Sequence, residues 1–144
     1  MAKRTRRPSA PVKPGVPASS PCPCGLPATY GACCARFHTG SAAPATAESL
    51  MRSRYSAFAV RDEPYLLRTW AAATRPTALG LDPAVRWTGL DVLAGTDGTA
   101  FHTTGTVTFA AHYTDRGGPG TLRERSTFAR EQGRWVYVDG DVQG

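Results

Sequence analysis

All four cysteines of the chain fall between Cys22 and Cys34, in the run Cys-Pro-Cys-Gly-Leu-Pro-Ala-Thr-Tyr-Gly-Ala-Cys-Cys. No other feature limits the fold as strongly. The spacing C-x-C-x8-C-C offers two thiolate pairs on a loop long enough to fold the second pair onto the first. Four such sulfurs can close a tetrahedral cage around one zinc ion. Disulfides fit the same residues poorly. They would close only tiny loops, which gain little from loop-closure entropy, and a Cys-x-Cys or vicinal Cys-Cys bridge is geometrically awkward. With all four positions filled by protein sulfur the ion would be structural, so metal-assisted hydrolysis is not expected.

The formal charge of +6 points to nucleic acid until it is located. Lys3, Arg4, Arg6, Arg7 and Lys13 all precede Cys22 and no acidic residue does, so the remainder carries twelve basic against eleven acidic residues. The part that folds is nearly neutral and implies no general basic face. Residues 1 to 21 are rich in Pro, Ala and Ser, lack aromatics, and are expected to form a mobile basic tail. Such a tail could touch RNA, DNA or an acidic protein through salt-sensitive contacts, but a solvated extension is the plainer expectation. Neither a secretory signal nor an apolar run long enough to span a bilayer is present, so no membrane role and a cytoplasmic location are expected. Clustered cysteines in a reducing compartment agree with metal binding.

After the cysteine loop, residues 36 to 44 are short and turn-like, and Thr46 offers an N-cap. Met51, Tyr55 and Phe58, widened by Leu50 and Ala59, mark an amphipathic helix from about Ala47 to Val60. Pro64 suits the first turn of a second helix carrying Leu66, Leu67 and Trp70. Residues 71 to 83 form an irregular connection. From Val85 the period changes to two, predicting strands over 85 to 94, 99 to 115, 121 to 130 and 134 to 142. The breaks between them, at 95 to 98, 116 to 120 and 131 to 133, carry turn residues. Short connections make the sheet an antiparallel meander, one face of which the helices must cover.

The cysteine pattern, with Gly25 after the second cysteine and Tyr30 in the loop, resembles the SEC-C zinc motif of the SecA preprotein translocase tail. That family's fourth ligand directly follows the third. The resemblance therefore implies Cys22, Cys24, Cys33 and Cys34 as ligands, with His38 as a substitute ligand or a partner of the ligands. The usual Gly-Ser-Gly after the second cysteine is here Gly25-Leu26-Pro27. Helices followed by a long-stranded sheet ending in Gly133-Arg134-Trp135-Val136-Tyr137-Val138 resemble the NTF2-like fold. The blocks Leu50 to Phe58, Tyr65 to Trp70, Glu124 to Phe128 and Gly133 to Gly140 are similar to the YchJ-like (UPF0225) family. The resemblance implies an α+β NTF2-like cone over 45 to 142, behind a zinc motif over 22 to 40. Ala71-Ala72 stands where relatives carry His-Pro, so no essential base is assigned there.

Leu122, Glu124, Ser126 and Phe128 share one face of their strand, and two of them require burial. Glu124 is thus expected inside, where a carboxylate needs donors. The architecture implied by the resemblance supplies Arg52 or Arg54 as that source. Tyr55, Trp70, Trp87 and Tyr137 would line the cone, as pocket walls or as plain core. His102 and His112 show no pairing with a nucleophile. No phosphate loop or catalytic triad is present. Three functions follow. The first is a non-enzymatic binding module, with a protein partner on the zinc knuckle and a small molecule or peptide in the cone. The second is a small-molecule enzyme of isomerase, dehydratase or hydrolase type with Glu124 as base. The third is nucleic-acid or ribosome association through the tail and knuckle.

Overall fold

The computed structural model describes residues 16–143. The basic segment expected to be mobile lies, for residues 1–15, outside the described residues. Residues 16–21, read from composition as part of that tail, are instead folded onto the cysteine loop. Pro21 bridges Thr29, the amides of Tyr30 and Gly31 donate to the carbonyls of Ser20 and Ala18, and Val16 packs on the buried cysteines. Backbone pairing ordered these residues, and it leaves no signature in side-chain composition.

Three helices precede the sheet: α1 (Cys34–His38), α2 (Ala47–Val60) and α3 (Glu63–Arg68). Helix α1 was read as a turn, and at five residues it is barely more. Thr46 caps α2, its hydroxyl accepting from the Ser49 amide at 3.0 Å, and Asp62 caps α3 in the same way through Tyr65. The chain leaves α2 through Arg61 in a left-handed conformation, φ 62°. That geometry stops the helix and turns it into α3.

Four antiparallel strands follow in the order β1 (Arg86–Asp97), β2 (Thr104–Asp115), β3 (Gly118–Glu131) and β4 (Arg134–Val142), giving the expected meander. The first hairpin departs from expectation. Gly95 and Thr96 continue β1, and β2 starts at Thr104 rather than at residue 99. Asp97 and Gly98, with φ of 52° and 75°, make the turn. Residues 99–103 fold beneath Arg130, which donates to the carbonyls of Ala100 and His102, and Phe101 is left 97% exposed. His102 accordingly lies in this loop and not in a strand. Gly98 also seats the hairpin on α2: its carbonyl accepts from the Ala47 amide, and a Cβ here would meet the Ala47 Cβ at 2.8 Å.

Helix α2 is the hub because each of its faces has a different partner. Leu50 and Met51 join Val107, Phe128 and Trp135 in the core against the sheet, while Ala57 packs with Tyr65, Leu66 and Phe37. Ser56 and Val60 face the cysteine loop. Beyond α3 the chain pairs with β4, with Ala71 donating to the Tyr137 carbonyl and Tyr137 to that of Thr69. That pairing fixes Trp70 at the rim of the cone. No helix among the described residues is long and apolar enough to cross a membrane.

Candidate metal centre and ligand pocket

The four cysteines are buried and unbridged, and their sulfurs all lie within 4.8 Å of one another. The loop itself builds this cluster. Gly25, at φ 89°, turns the chain after Cys24, and the amides of Cys33 and Ala35 both donate to the Tyr30 carbonyl, which starts α1. Cys24 and Cys33 Sγ are 3.7 Å apart. Helix α2 supplies two polar contacts, Ser56 Oγ at 3.6 Å from Cys22 Sγ and the Arg52 carbonyl at 3.8 Å from Cys34 Sγ. Crowding sets the thiols against one another. Hydrogen bonds from Cys24 and Cys34 hold Cys22 far below the usual thiol range, whereas its bond to Cys22 pushes Cys34 far up and burial raises Cys33. Four buried thiolates can coexist only around a cation, so the donor set fits a metal ion.

His38 stands outside the cluster of four cysteine sulfurs. Its Nε2 donates to the Ser53 carbonyl at 2.9 Å, since a carbonyl can only accept, and its Nδ1 lies 2.7 Å from the Tyr30 hydroxyl. It anchors the loop to α2 from behind the cysteines.

Arg52 was expected in the pocket and is elsewhere. Its Nη1 donates to the Cys24 carbonyl at 2.8 Å and its Nε to Glu48 at 3.0 Å, on the face of α2 turned to the cysteine loop. Two residues along a helix are separated by about 200° of rotation, so Arg52 and Arg54 cannot share a face. The pocket face is Met51, Arg54, Tyr55 and Phe58, at helical spacing.

These four, with Trp70, Trp87, Phe109, Ala111, Leu122, Glu124, Ser126, Phe128 and Tyr137, line a cavity of about 200 Å³. The structure thus brings together Arg54, Tyr55, Trp70, Trp87, Glu124, Ser126 and Tyr137. Arg123 and Arg125 face outward, in keeping with the expected parity of β3. Aromatic rings meet edge-on around the walls, Trp70 with Tyr137 at 4.9 Å and Tyr55 with Trp87 at 6.0 Å between centroids. Polar atoms gather at one corner. Glu124 Oε2 accepts from Ser126 Oγ at 2.7 Å and from the Tyr137 hydroxyl at 3.4 Å. Burial first, and then the Glu124 charge, push the Tyr137 hydroxyl up to about 12, so it stays a donor. Gly140 makes room for the carboxylate, since a Cβ there would overlap it. Sequence reasoning missed Met51, Phe58, Phe109, Ala111, Leu122 and Phe128 as lining. The helical spacing of 51, 54, 55 and 58 was the available signal for the first two.

Away from the pocket, His112 stands on the outer face of the sheet between Asp91, at 2.8 Å, and Thr121, at 3.0 Å.

Comparison with known proteins agrees with this architecture. Residues 46–140 match the family model described as the middle NTF2-like domain of YchJ. A UPF0225 protein of Streptomyces avermitilis is 58% identical over 139 residues, covering 96% of this chain and 95% of that protein. Another, of Streptomyces coelicolor, is 61% identical over 121 residues, 84% and 94% of the two chains. Among solved structures, a SEC-C motif containing protein from Rhodopseudomonas palustris superposes with a TM-score of 0.75 at 30% identity, covering 85% of this chain and 98% of that one. One from Psychrobacter arcticus gives 0.72 at 27% identity, with 88% and 85% covered.

Proposed function

The chain belongs to the UPF0225 family, and from the geometry of its two sites we propose that it is a zinc-braced protein that binds a small molecule in its cone. Zinc suits the donor set. Tetrahedral bonds of about 2.3 Å place thiolate sulfurs about 3.8 Å apart, and the Cys24 to Cys33 separation is 3.7 Å. Cys22, Cys24, Cys33 and Cys34 would hold the ion, which supplies local folding energy and no open coordination site. The observation that carries the binding role is the cavity: aromatic walls drawn from α2, the segment after α3 and all four strands converge on one polar corner. Binding is favoured over nucleophilic turnover because Ser126, the one serine or threonine hydroxyl in the lining, is only 2% exposed.

Native mass spectrometry of the full chain should find one zinc per protein. Titration with indole should shift the indole N–H signals of Trp70 and Trp87 saturably. The Trp135 signal should stay, because its Nε1 donates to the Ala45 carbonyl away from the cavity. A native, disulfide-bonded and zinc-free protein would remove the metal assignment, and unmoved Trp70 and Trp87 signals would remove the pocket.

A further inference from the structure

Arg54 is 6% exposed, yet among the described residues it forms no ion pair. Its Nη1 donates to the Leu66 carbonyl and to Thr69 Oγ1, both at 2.7 Å. Its Nε and Nη2 meet no acceptor among the described residues. The guanidinium instead lies over two rings, 4.6 Å from the centroid of Tyr137 and 5.2 Å from that of Trp70. Ring faces soften the charge but accept no directed hydrogen bond of ordinary strength. A desolvated guanidinium with idle donors is costly, and the cavity it lines is where an acceptor can come from.

Glu124 poses the complementary problem. Oε2 takes the bonds from Ser126 and Tyr137, and Oε1 receives none among the described residues. The two groups flank one ring, the guanidinium over the face of Tyr137 and the carboxylate at its hydroxyl, yet they stay beyond ion-pair distance of each other. Their charges already balance, so a ligand of either sign would unbalance the cavity. Size sets the body of the ligand, because an apolar cavity of about 150 Å³ accepts benzene and this one is about 200 Å³.

Resting on the ligand-binding reading above, we propose that the pocket recognises a neutral planar carboxamide on a single aromatic or heteroaromatic ring. The carbonyl oxygen accepts from Arg54, the N–H donates to Glu124, and the ring lies among Trp70, Trp87, Tyr55 and Phe109.

Benzamide, benzoate, benzylamine and toluene share a ring and differ in the polar edge they offer, so NMR titration of the zinc-loaded full chain with these four tests the proposal. Benzamide is expected to bind at least ten-fold tighter than the other three. Glu124→Gln removes the negative charge while keeping the shape, and should raise the affinity for benzoate relative to benzylamine at least ten-fold. This variant is preferred to one at Arg54, which also ties α2 to α3 through the Leu66 carbonyl. Toluene binding as tightly as benzamide, or benzoate binding tightest to the unaltered protein, would overturn the carboxamide class while leaving the pocket standing. Failure of all four to move the Trp70 and Trp87 signals, with indole failing too, would overturn the pocket itself.

Discussion

Four tyrosines, Tyr30, Tyr55, Tyr65 and Tyr137, share one electrostatic consequence of where they sit. Burial is the leading cause for each, and it pushes all four hydroxyls from 10.0 to about 12. The folded protein therefore holds these protons more tightly than the unfolded chain does. Their contribution to stability is complete below pH 10 and is lost as the pH rises through 12. Arg54 opposes them, since burial lowers its value to about 10, but it is one group against four. The contribution of these tyrosines is thus expected to be flat up to about pH 10 and to fall above it. Phenolate absorbance should rise together with the loss of helical circular dichroism. Four phenols titrating independently near pH 10, with the fold intact, would contradict their placement.

At the scale of elements, α2 shows what the sequence could and could not reveal. Its limits were legible because Thr46 announces the cap and the apolar stripe runs unbroken to Val60. The inward parity of Glu124 was legible too, since Leu122 and Phe128 fix the face of β3. The partition of α2 into three faces was not. Nine of its fourteen residues are buried, so polarity no longer distinguishes inside from outside, and Arg52 was assigned to the wrong neighbour. The first hairpin was misread for a related reason: Gly95 carries turn chemistry, but the positive φ values fall at Asp97 and Gly98. Helical rotation was the usable rule for the arginines, and it now makes a prediction. Arg52→Ala removes a charged donor from the Cys24 carbonyl and should cost about 1.5 kcal/mol, the scale of a hydrogen bond to a charged group. Because Arg52 does not line the pocket, indole affinity should change by less than two-fold. Equilibrium urea unfolding and the indole titration check the two halves, and a variant with lost indole binding at unchanged stability would contradict this arrangement.

At the scale of the whole molecule, cysteine loop, hub helix and pocket form one mechanical series. Cys22 and Cys34 meet α2 through Ser56 Oγ and the Arg52 carbonyl, His38 pins the loop to the Ser53 carbonyl, and Arg68 reaches back from α3 to the carbonyls of Phe37 and His38. The next residues around the same helix, Met51, Arg54 and Tyr55, are the pocket wall. An independent zinc knuckle would fray on metal loss and leave the cone unchanged. Here the loop and α2 share a buried cluster that includes Val60, so loss of an ion held by the cysteines would withdraw packing from the hub itself. Chelation of the full chain under reducing conditions should therefore lower the Tm of the single cooperative transition by more than about 5 °C, a shift that at this size needs only one to three kcal/mol. Returning zinc should restore it. The indole signals of Trp70 and Trp87 should broaden in the metal-free protein, because the helix carrying Arg54 and Tyr55 has lost its backing. If the metal-free, fully reduced protein melted at the same temperature with those two signals unchanged, the cysteine loop would be an appendage rather than a brace.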